Sequence, residues 1–250
     1  MAHTPPPANS SPQHTRKAWS VLIVSTLAFT VCFMVWMMFG VIGIPIKKML
    51  DLSSTQFGLL MAMPVLTGSL VRVPLGIWTD RFGGRIVMTI LMLVTVPAIW
   101  MMGYATEYWH FLTIGLFVGL AGGSFSVGTP YVARWFPKNR QATALGVSGA
   151  GNSGAAVNKF VAPVILVAFG WAMVPKVYAA IMLGTVVLFW LFSYSDPAHL
   201  VPSHVKFTDQ LKALKDPKVL KYCQYYSIVF GGYVALSLWM VQYYVGEYGL

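Results

Sequence analysis

The sequence predicts an all-α integral membrane protein that crosses the bilayer several times. Hydrophobic residues make up 57% of the chain and charged residues only 10%, with a mean hydropathy of +0.67. Residues 18–46, between Lys17 and Lys47, include no lysine, arginine, aspartate or glutamate. As a helix with a rise of about 1.5 Å per residue, this run exceeds the roughly 30 Å hydrocarbon core of a bilayer. Similar continuous runs follow, whereas a transmembrane β-barrel shows short segments of alternating hydrophobicity.

Seven apolar runs, separated by charged or polar segments, are long enough to be membrane spans. We expect residues 1–17 to form a disordered cytoplasmic tail, because they are rich in proline, serine, threonine and histidine. A cleaved signal peptide is not expected there, since the first apolar run begins too late and is too long. The predicted spans are 18–44, 57–78, 86–104, 108–132, 142–169, 174–195 and 222–245.

The spans divide into a six-helix transmembrane bundle over residues 18–195 and a seventh span within residues 222–250. A charged cytoplasmic linker over residues 196–221 joins them. A short interfacial helix with a basic face is one interpretation of this linker, and a solvated segment without regular structure is the other. The helical interpretation depends on the spacing of three apolar residues, Phe207, Leu211 and Leu214.

Lysine and arginine outside the predicted spans are distributed unevenly between the two sides. Twelve fall in the tail, the second–third loop, the fourth–fifth loop and the linker, and three fall in the loops of the opposite side. Loops on the cytoplasmic side carry the excess of basic residues in membrane proteins. The distribution therefore predicts a cytoplasmic N-terminus and a multi-pass protein of the cytoplasmic (inner) membrane.

The composition argues against several other classes of protein. The sequence pI near 9.7 reflects basic loops rather than nucleic-acid binding. Cys32 and Cys223 both lie in predicted spans, without the spacing of a disulfide framework or a metal site. None of the five histidines lies in a span core and no nucleophile–base pair is apparent, so we expect neither catalysis nor a cofactor. The sequence also contains no nucleotide-binding loop of the P-loop type.

The loop between the second and third spans reads GIWTDRFGGR. It resembles the G-x-x-x-D-R-x-G-R-R loop of the major facilitator superfamily, both in sequence and in position. The matching residues are Gly76, Asp80, Arg81, Gly83 and Arg85. Gly84 stands where the first of the paired arginines is usual. The resemblance implies a conformational-switch loop, in which Asp80 caps a helix end and pairs with an arginine to hold neighbouring helices in one state.

Longer segments narrow the resemblance to the nitrate/nitrite porter family within that superfamily. The fourth and fifth spans, GLAGGSFSVGTPYVARWFPKNRQATALGVSGAGNSGAA, are similar to that family and carry its nitrate signature at GNSG, residues 151–154. RVPLG matches the segment with a substrate-binding arginine, here Arg72, and YYSIVFGGY resembles the seventh span. The resemblance implies twelve spans in two six-span halves, with the substrate site between the halves. A second substrate arginine would lie beyond Leu250, and we expect the chain to be incomplete.

Two basic residues, Arg72 and Lys159, lie within predicted spans, and the first six predicted spans contain no aspartate or glutamate. Cations in a membrane without carboxylate partners need an anion or access to water. Arginine suits nitrate and nitrite, because its planar guanidinium offers paired donors to coplanar oxygens. The alternatives are a structural arginine bonded to helix carbonyls and a lysine that extends to the outer interface.

Small residues at three- or four-residue spacing in the fourth and fifth spans predict close helix packing. The glycines concerned are Gly115, Gly119, Gly123, Gly146, Gly149 and Gly154. Glycine also exposes backbone to a ligand, and Gly151 belongs to the GNSG segment. Asn152 shares a helix face with Lys159 and offers an amide donor to an anion, with an interhelical hydrogen bond as the alternative. By resemblance, Phe125 and Tyr226 sandwich the anion, whereas plain membrane packing is the alternative for either ring.

These observations predict a secondary transporter of nitrate and nitrite that works by alternating access, as nitrate/proton symport or nitrate/nitrite exchange. A carrier for another small anion is the nearest alternative, and a seven-helix receptor is opposed by the cytoplasmic N-terminus. We expect a monomer in the lipid bilayer, with protons as a further partner in the symport mode and with no nucleic acid, metal or cofactor. Five prolines are expected to let the spans bend during the cycle: Pro64, Pro74, Pro97, Pro130 and Pro163.

Overall fold

The computed structural model describes residues 12–195 and 215–249, and its regular elements there are all helical. Seven helical segments are long and apolar enough to cross a membrane, which confirms the predicted number of spans for this part of the chain. The α-helices are α1 (Pro12–Trp36), α2 (Phe39–Met49), α3 (Ser54–Leu70), α4 (Arg72–Phe82), α5 (Gly84–Met102), α6 (Tyr108–Gly119), α7 (Ser124–Trp135), α8 (Lys138–Gly149), α9 (Gly154–Phe169), α10 (Met173–Phe192) and α11 (Pro217–Tyr248).

Both ends of the bundle differ from the sequence-based boundaries. Helix α1 begins at Pro12, so residues 12–17 are helical and the prediction of a disordered tail is wrong for them. Composition favoured disorder there, but proline fits the first turn of a helix and the apolar run that follows continues it. Helix α11 begins at Pro217, inside the predicted linker, with the Asp216 side chain accepting a hydrogen bond from the Lys218 backbone at 2.9 Å. The predicted interfacial helix lies outside the described residues.

The first span lies at the centre of the bundle. In its most apolar stretch 78% of the residues are buried, compared with 22% in the fifth span and 17% in the seventh. It contacts α7, α9 and α10, while α5 packs against α10 and α3 packs against α6. The seventh span contacts α2 at the far end of the first span. Large apolar surfaces on the outer spans are therefore left for lipid or for further protein to cover.

Small residues allow the fifth span to pack closely against the first. The glycine spacing predicted such close packing, and the structure shows it for some of those glycines. A Cβ atom added at Gly151 would lie 2.2 Å from the ring of Phe29, and one added at Gly154 would lie 2.2 Å from a backbone carbonyl of the first span. Both positions therefore need glycine. Gly146 and Gly149 have no described atom within 4 Å of an added Cβ. For these two residues the prediction of close packing, which allowed Ala150 in place of Gly149, stays a prediction.

The fourth span packs against the second in the same way. A Cβ added at Gly119 would lie 2.6 Å from the Pro64 carbonyl oxygen, and one added at Gly123 would lie 2.3 Å from the Leu75 side chain. Gly115 allows only ordinary contact, 3.6 Å from the ring of Phe39. Interfaces between membrane helices depend on such close contact, since lipid supplies no hydrophobic driving force between them.

Four of the spans are interrupted, whereas the third, sixth and seventh are continuous helices. The first span breaks at residues 37–38 and the second at Val71. The fourth and fifth spans tighten into 3-10 turns at Leu120–Gly123 and Ala150–Ser153. Inside a membrane, irregular backbone is tolerated only where protein buries it or where it lines a cavity. The four interruptions therefore mark the part of the bundle where a polar site can be built.

The predicted proline positions explain only one of these interruptions. Pro74 lacks the N–H that would bond the carbonyl of Leu70, and this loss lies next to the break at Val71. The helices continue through Pro64, Pro97, Pro130 and Pro163. The 3-10 turns instead contain the glycines of the LAGG and AGNS segments.

Candidate functional site

A cavity of about 630 Å³ lies between the first, second and seventh spans. Its size is within the range of sites for small molecules. Most of its walls are apolar or aromatic, and the one charged residue that lines it is Arg72. Aromatic and polar lining residues near this arginine are Trp36, Ser69, Tyr226, Ser227 and Phe230.

Arg72 is the first residue of α4, directly after the interruption of the second span at Val71. Its guanidinium carbon lies 4.8 Å from the ring centroid of Phe230 and 5.7 Å from that of Trp36. Its Nε atom is buried and has no hydrogen-bond partner among the described residues. The structure therefore places a cation in an aromatic cavity without a carboxylate beside it. A small anion with several acceptor oxygens is the complementary ligand.

Aromatic side chains from the fourth and seventh spans meet next to Arg72. The rings of Phe125 and Tyr226 are stacked, with centroids 5.8 Å apart and an interplanar angle of 17°. Phe230 joins them, 5.2 Å from Tyr226 and 6.5 Å from Phe125. The structure thus brings together the two predicted aromatic residues and adds a third that the sequence interpretation missed. Phe230 lies four residues after Tyr226 in YYSIVFGGY, on the same helix face, which was the available signal.

The three rings are close to parallel. The interplanar angle is 17° between Phe125 and Tyr226, 23° between Phe125 and Phe230, and 11° between Tyr226 and Phe230. Tyr226 differs from the two phenylalanines in having a hydroxyl group, and it interacts electrostatically with Arg72.

The GNSG segment lies beside this cluster, in the 3-10 turn of the fifth span. The Asn152 side chain donates to the Gly149 carbonyl at 2.9 Å, and its Oδ1 atom is buried without a partner in the described part of the chain. Tyr233 of the seventh span donates its hydroxyl to the Asn152 backbone carbonyl at 2.9 Å. The turn is therefore linked to the seventh span. Gly151 is buried against Phe29, so its most evident role is packing.

Lys159 is half-exposed and does not line the cavity of Arg72. No hydrogen bond or ion pair joins it to another described residue, and its predicted role is untested. Its neighbour Asn158 is buried instead and donates to the Met37 carbonyl at 2.8 Å. The hydroxyl of Tyr178 donates to Asn158 Oδ1 at 2.8 Å. This network satisfies a carbonyl at the break in the first span and ties the first, fifth and sixth spans together.

The loop between the second and third spans contains the ion pair that its motif predicted. Asp80, in the last turn of α4, pairs with Arg134 at the end of the fourth span. Arg134 also donates to the Thr79 carbonyl at 3.1 Å. The predicted capping role of Asp80 is wrong, since neither helix end at this loop has a side-chain cap. Arg134 was counted only as a loop charge, because sequence alone does not show which arginine reaches Asp80.

The other motif residues attach the start of the third span to its neighbours. Gly83 has φ +86°, in the left-handed region that favours glycine. Arg85 donates to the Trp190 carbonyl at 2.7 Å and lies 4.2 Å from the centroid of that ring, at the end of the sixth span. A Cβ at Gly84 would lie 2.2 Å from Tyr131 Cβ. The departure from the usual paired arginines thus has a steric cause in this chain.

Two further motif residues make fewer contacts. Gly76 has open space around an added Cβ, without a described atom within 4 Å. Arg81 is exposed, with its guanidinium carbon 5.6 Å from the ring centroid of Phe82. The motif residues that bond to neighbouring spans are therefore Asp80, through Arg134, and Arg85.

The comparisons with known proteins identify the family to which this helical bundle belongs. The model of the Major Facilitator Superfamily matches residues 24–250, and the chain belongs to this superfamily. A solved structure with the same fold is a bacterial homologue of the human lysosomal transporter Spinster, described as inward-facing and unoccupied. It gives a TM-score of 0.65 at 20% identity, over 82% of this chain and 48% of that chain.

The curated relatives point to a narrower family than the superfamily model does. The chain is 40% identical to a probable nitrate/nitrite antiporter of Thermus thermophilus, over 92% of this chain and 54% of the relative. It is 32% identical to a nitrite extrusion protein of Bacillus subtilis, over 92% and 58%. A probable nitrate transporter of Staphylococcus epidermidis is 30% identical, over 94% and 60%. These matches confirm the resemblance to the nitrate/nitrite porter family. The chain spans little more than half the length of these relatives.

Proposed function

We propose that this chain forms the N-terminal part of a secondary transporter that carries nitrate, nitrite or both by alternating access. The observation that carries the proposal is the partly buried guanidinium of Arg72, which has aromatic neighbours but no carboxylate beside it. Curated relatives named as nitrate or nitrite transporters support this choice of anion. The proposed site consists of Arg72 with residues from three other spans: Phe125, Gly151, Asn152, Lys159, Tyr226 and Phe230.

The shape of the cavity accounts for the preference that we propose. Guanidinium is planar and always charged, and it presents donors in one plane. Nitrate and nitrite have all their oxygens in one plane, so that a two-point contact suits either ion. The rings of Phe125 and Phe230 then exclude water from the faces of the anion. Ring faces carry negative potential, so they contribute shape while Arg72 contributes charge.

Net uptake of an anion into a cell with a negative interior requires a coupled process. One charge moved against the potential costs about 2.3 kcal/mol per 100 mV. Exchange of nitrate for nitrite is electrically neutral and avoids this cost. Proton symport is the other mode, and it requires a group that carries the proton. The second and third spans meet at Asp80, but the ion pair with Arg134 occupies that carboxylate.

We propose that the protein lies in the cytoplasmic membrane with its N-terminus inside. Loops that carry twelve of the lysine and arginine residues then face the cytoplasm, in agreement with the positive-inside rule. The switch loop and the Asp80–Arg134 pair also lie on that side. A tag at residue 1, tested for accessibility to a membrane-impermeant reagent in intact cells, gives the orientation. Labelling of the tag in intact cells would contradict it.

The test of function is nitrate and nitrite flux in proteoliposomes, with the full reading frame that contains these residues and with internal pH recorded. Nitrate entry with internal acidification indicates proton symport, whereas entry that requires internal nitrite indicates exchange. Absence of flux for both ions, with the protein folded, would refute the proposal. Competition by other small anions distinguishes a nitrate carrier from a carrier of carboxylates.

The same assay tests the role of Arg72. The change Arg72→Lys keeps the charge and removes the planar fork, and loss of a hydrogen bond to a charged group costs about 1.5–3 kcal/mol. We therefore expect uptake to fall at least tenfold while insertion into the membrane is unchanged. Arg140→Lys, at an exposed position in the first turn of α8, is the matched control. Uptake by Arg72→Lys close to that of the control would remove Arg72 from the site.

A further inference from the structure

Trp36 is buried at the C-terminal end of α1, with 2% of its surface exposed. Its indole Nε1 donates a hydrogen bond to the Pro64 carbonyl of the second span at 2.8 Å. Two glycines make room for the ring. A Cβ added at Gly68 would lie 2.7 Å from Nε1, and one added at Gly122 would lie 2.6 Å from Cε2 of the indole. The first, second and fourth spans together therefore hold this ring in one orientation.

The same ring forms a wall of the proposed anion site. Trp36 and Phe230 are parallel to within 8°, with ring centroids 6.4 Å apart. The guanidinium carbon of Arg72 lies 5.7 Å from the indole centroid. Trp36 thus contacts both the cation and Phe230, the ring that stacks near Phe125. The indole is fixed by the hydrogen bond and the glycines, whereas Phe230 belongs to a span with few buried residues.

We propose that Trp36 is a positioning residue that sets the width of the anion site and thereby its selectivity for flat anions. The proposal rests on the proposed function. Because the hydrogen bond and the two glycines hold the indole in place, it limits the movement of Phe230 and of the Arg72 guanidinium. The separation of Phe230 from Phe125 is then fixed as well. Bulkier tetrahedral anions are excluded by shape, although their charge and oxygen acceptors satisfy Arg72 equally well.

Three variants in the full reading frame test this role. Trp36→Phe retains a ring but loses the hydrogen bond to Pro64, and Trp36→Tyr restores a polar group on a smaller ring. Gly68→Ala leaves Trp36 intact and crowds its Nε1 atom, although the added Cβ also lies 2.9 Å from the Gly119 carbonyl oxygen of the fourth span. Gly58→Ala is the matched control, because it lies in the same helix with open space around an added Cβ. Nitrate flux is measured in proteoliposomes with nitrite as a flat competitor and perchlorate as a tetrahedral competitor.

We expect Trp36→Phe and Gly68→Ala to raise the KM for nitrate about tenfold, with kcat changed less, because Arg72 and Phe230 are then less precisely positioned. Inhibition by perchlorate relative to nitrite should increase in both, and Trp36→Tyr should be intermediate. An unchanged preference between the two competitors in a folded Trp36→Phe or Gly68→Ala variant would overturn the proposal. A fall in kcat alone would also overturn it, since that result indicates a structural role only.

The outcome for the unmodified protein separates this proposal from the proposed function. If the unmodified protein transports neither nitrate nor nitrite, the proposed function fails and the inference fails with it. If it transports nitrate and the variants keep its selectivity, only the role of Trp36 is refuted. The rise in melting temperature with added nitrate gives a second readout that does not depend on flux. We expect that rise to be smaller in Trp36→Phe than in Gly58→Ala.

Discussion

Replacement of Asn158 by leucine removes the buried network that joins three spans beside the break in the first span. Asn158 makes two hydrogen bonds of 2.8 Å, one to the Met37 carbonyl and one from the Tyr178 hydroxyl. With roughly 1 kcal/mol for each bond, Asn158→Leu should lower the free energy of unfolding by about 2 kcal/mol and Tyr178→Phe by about 1 kcal/mol. Hydrogen bonds between membrane helices contribute about 0.6 kcal/mol on average and about 1.7 kcal/mol at most. The value of about 1 kcal/mol for each bond therefore lies in the upper part of that range.

A double-mutant cycle isolates the bond between the two side chains. Unfolding is followed in detergent for both single variants and for the double variant Asn158→Leu/Tyr178→Phe. The double variant should lose about 1 kcal/mol less than the sum of the single changes, because both single changes break the same bond. Phe160→Leu, at an exposed position two residues along the same helix, is the control. Strict additivity, or a loss in Asn158→Leu no larger than in the control, would refute the reasoning.

Two further predictions concern the switch loop. Gly84→Ala would place a Cβ 2.2 Å from Tyr131 Cβ, so we expect the overpacking to cost about 1–3 kcal/mol in unfolding experiments. Gly184→Ala, with open space around it, should be neutral, and equal stability of the two variants would contradict the steric argument. Arg134→Gln breaks the pair with Asp80 and the hydrogen bond to the Thr79 carbonyl, and it should cost about 1–3 kcal/mol in stability. Its transport rate should also change, and an unchanged rate would remove the pair from the conformational switch.

The number of spans was predictable because hydropathy and charge are read along the chain without knowledge of neighbours. Arg72 was predictable for the same reason, since one arginine in an apolar run is visible locally. Phe230 was not singled out, because its importance depends on a contact between the seventh span and Arg72 of the second span. Arg134 was missed as the partner of Asp80 on similar grounds.

Glycine spacing predicted helix contacts only in part, and the reason is geometric. A repeat of three or four residues defines one face of a helix but does not state what covers that face. Gly151 meets the first span, whereas Gly146, nearer the start of the fifth span, meets no described atom. The helical start at Pro12 was also missed. Composition describes a segment by itself, whereas here the apolar run that follows extends the helix backwards.

The interruptions of four spans have a mechanical consequence. Each interrupted span consists of two helical rods that meet at a short joint, while the third, sixth and seventh spans are undivided helices. Arg72 begins the rod after one of these joints, Trp36 ends the rod before another, and Asn152 lies within a third. An anion held in the proposed site therefore contacts residues at or next to the joints. The free energy needed to bend these joints is then drawn from the binding of the anion itself.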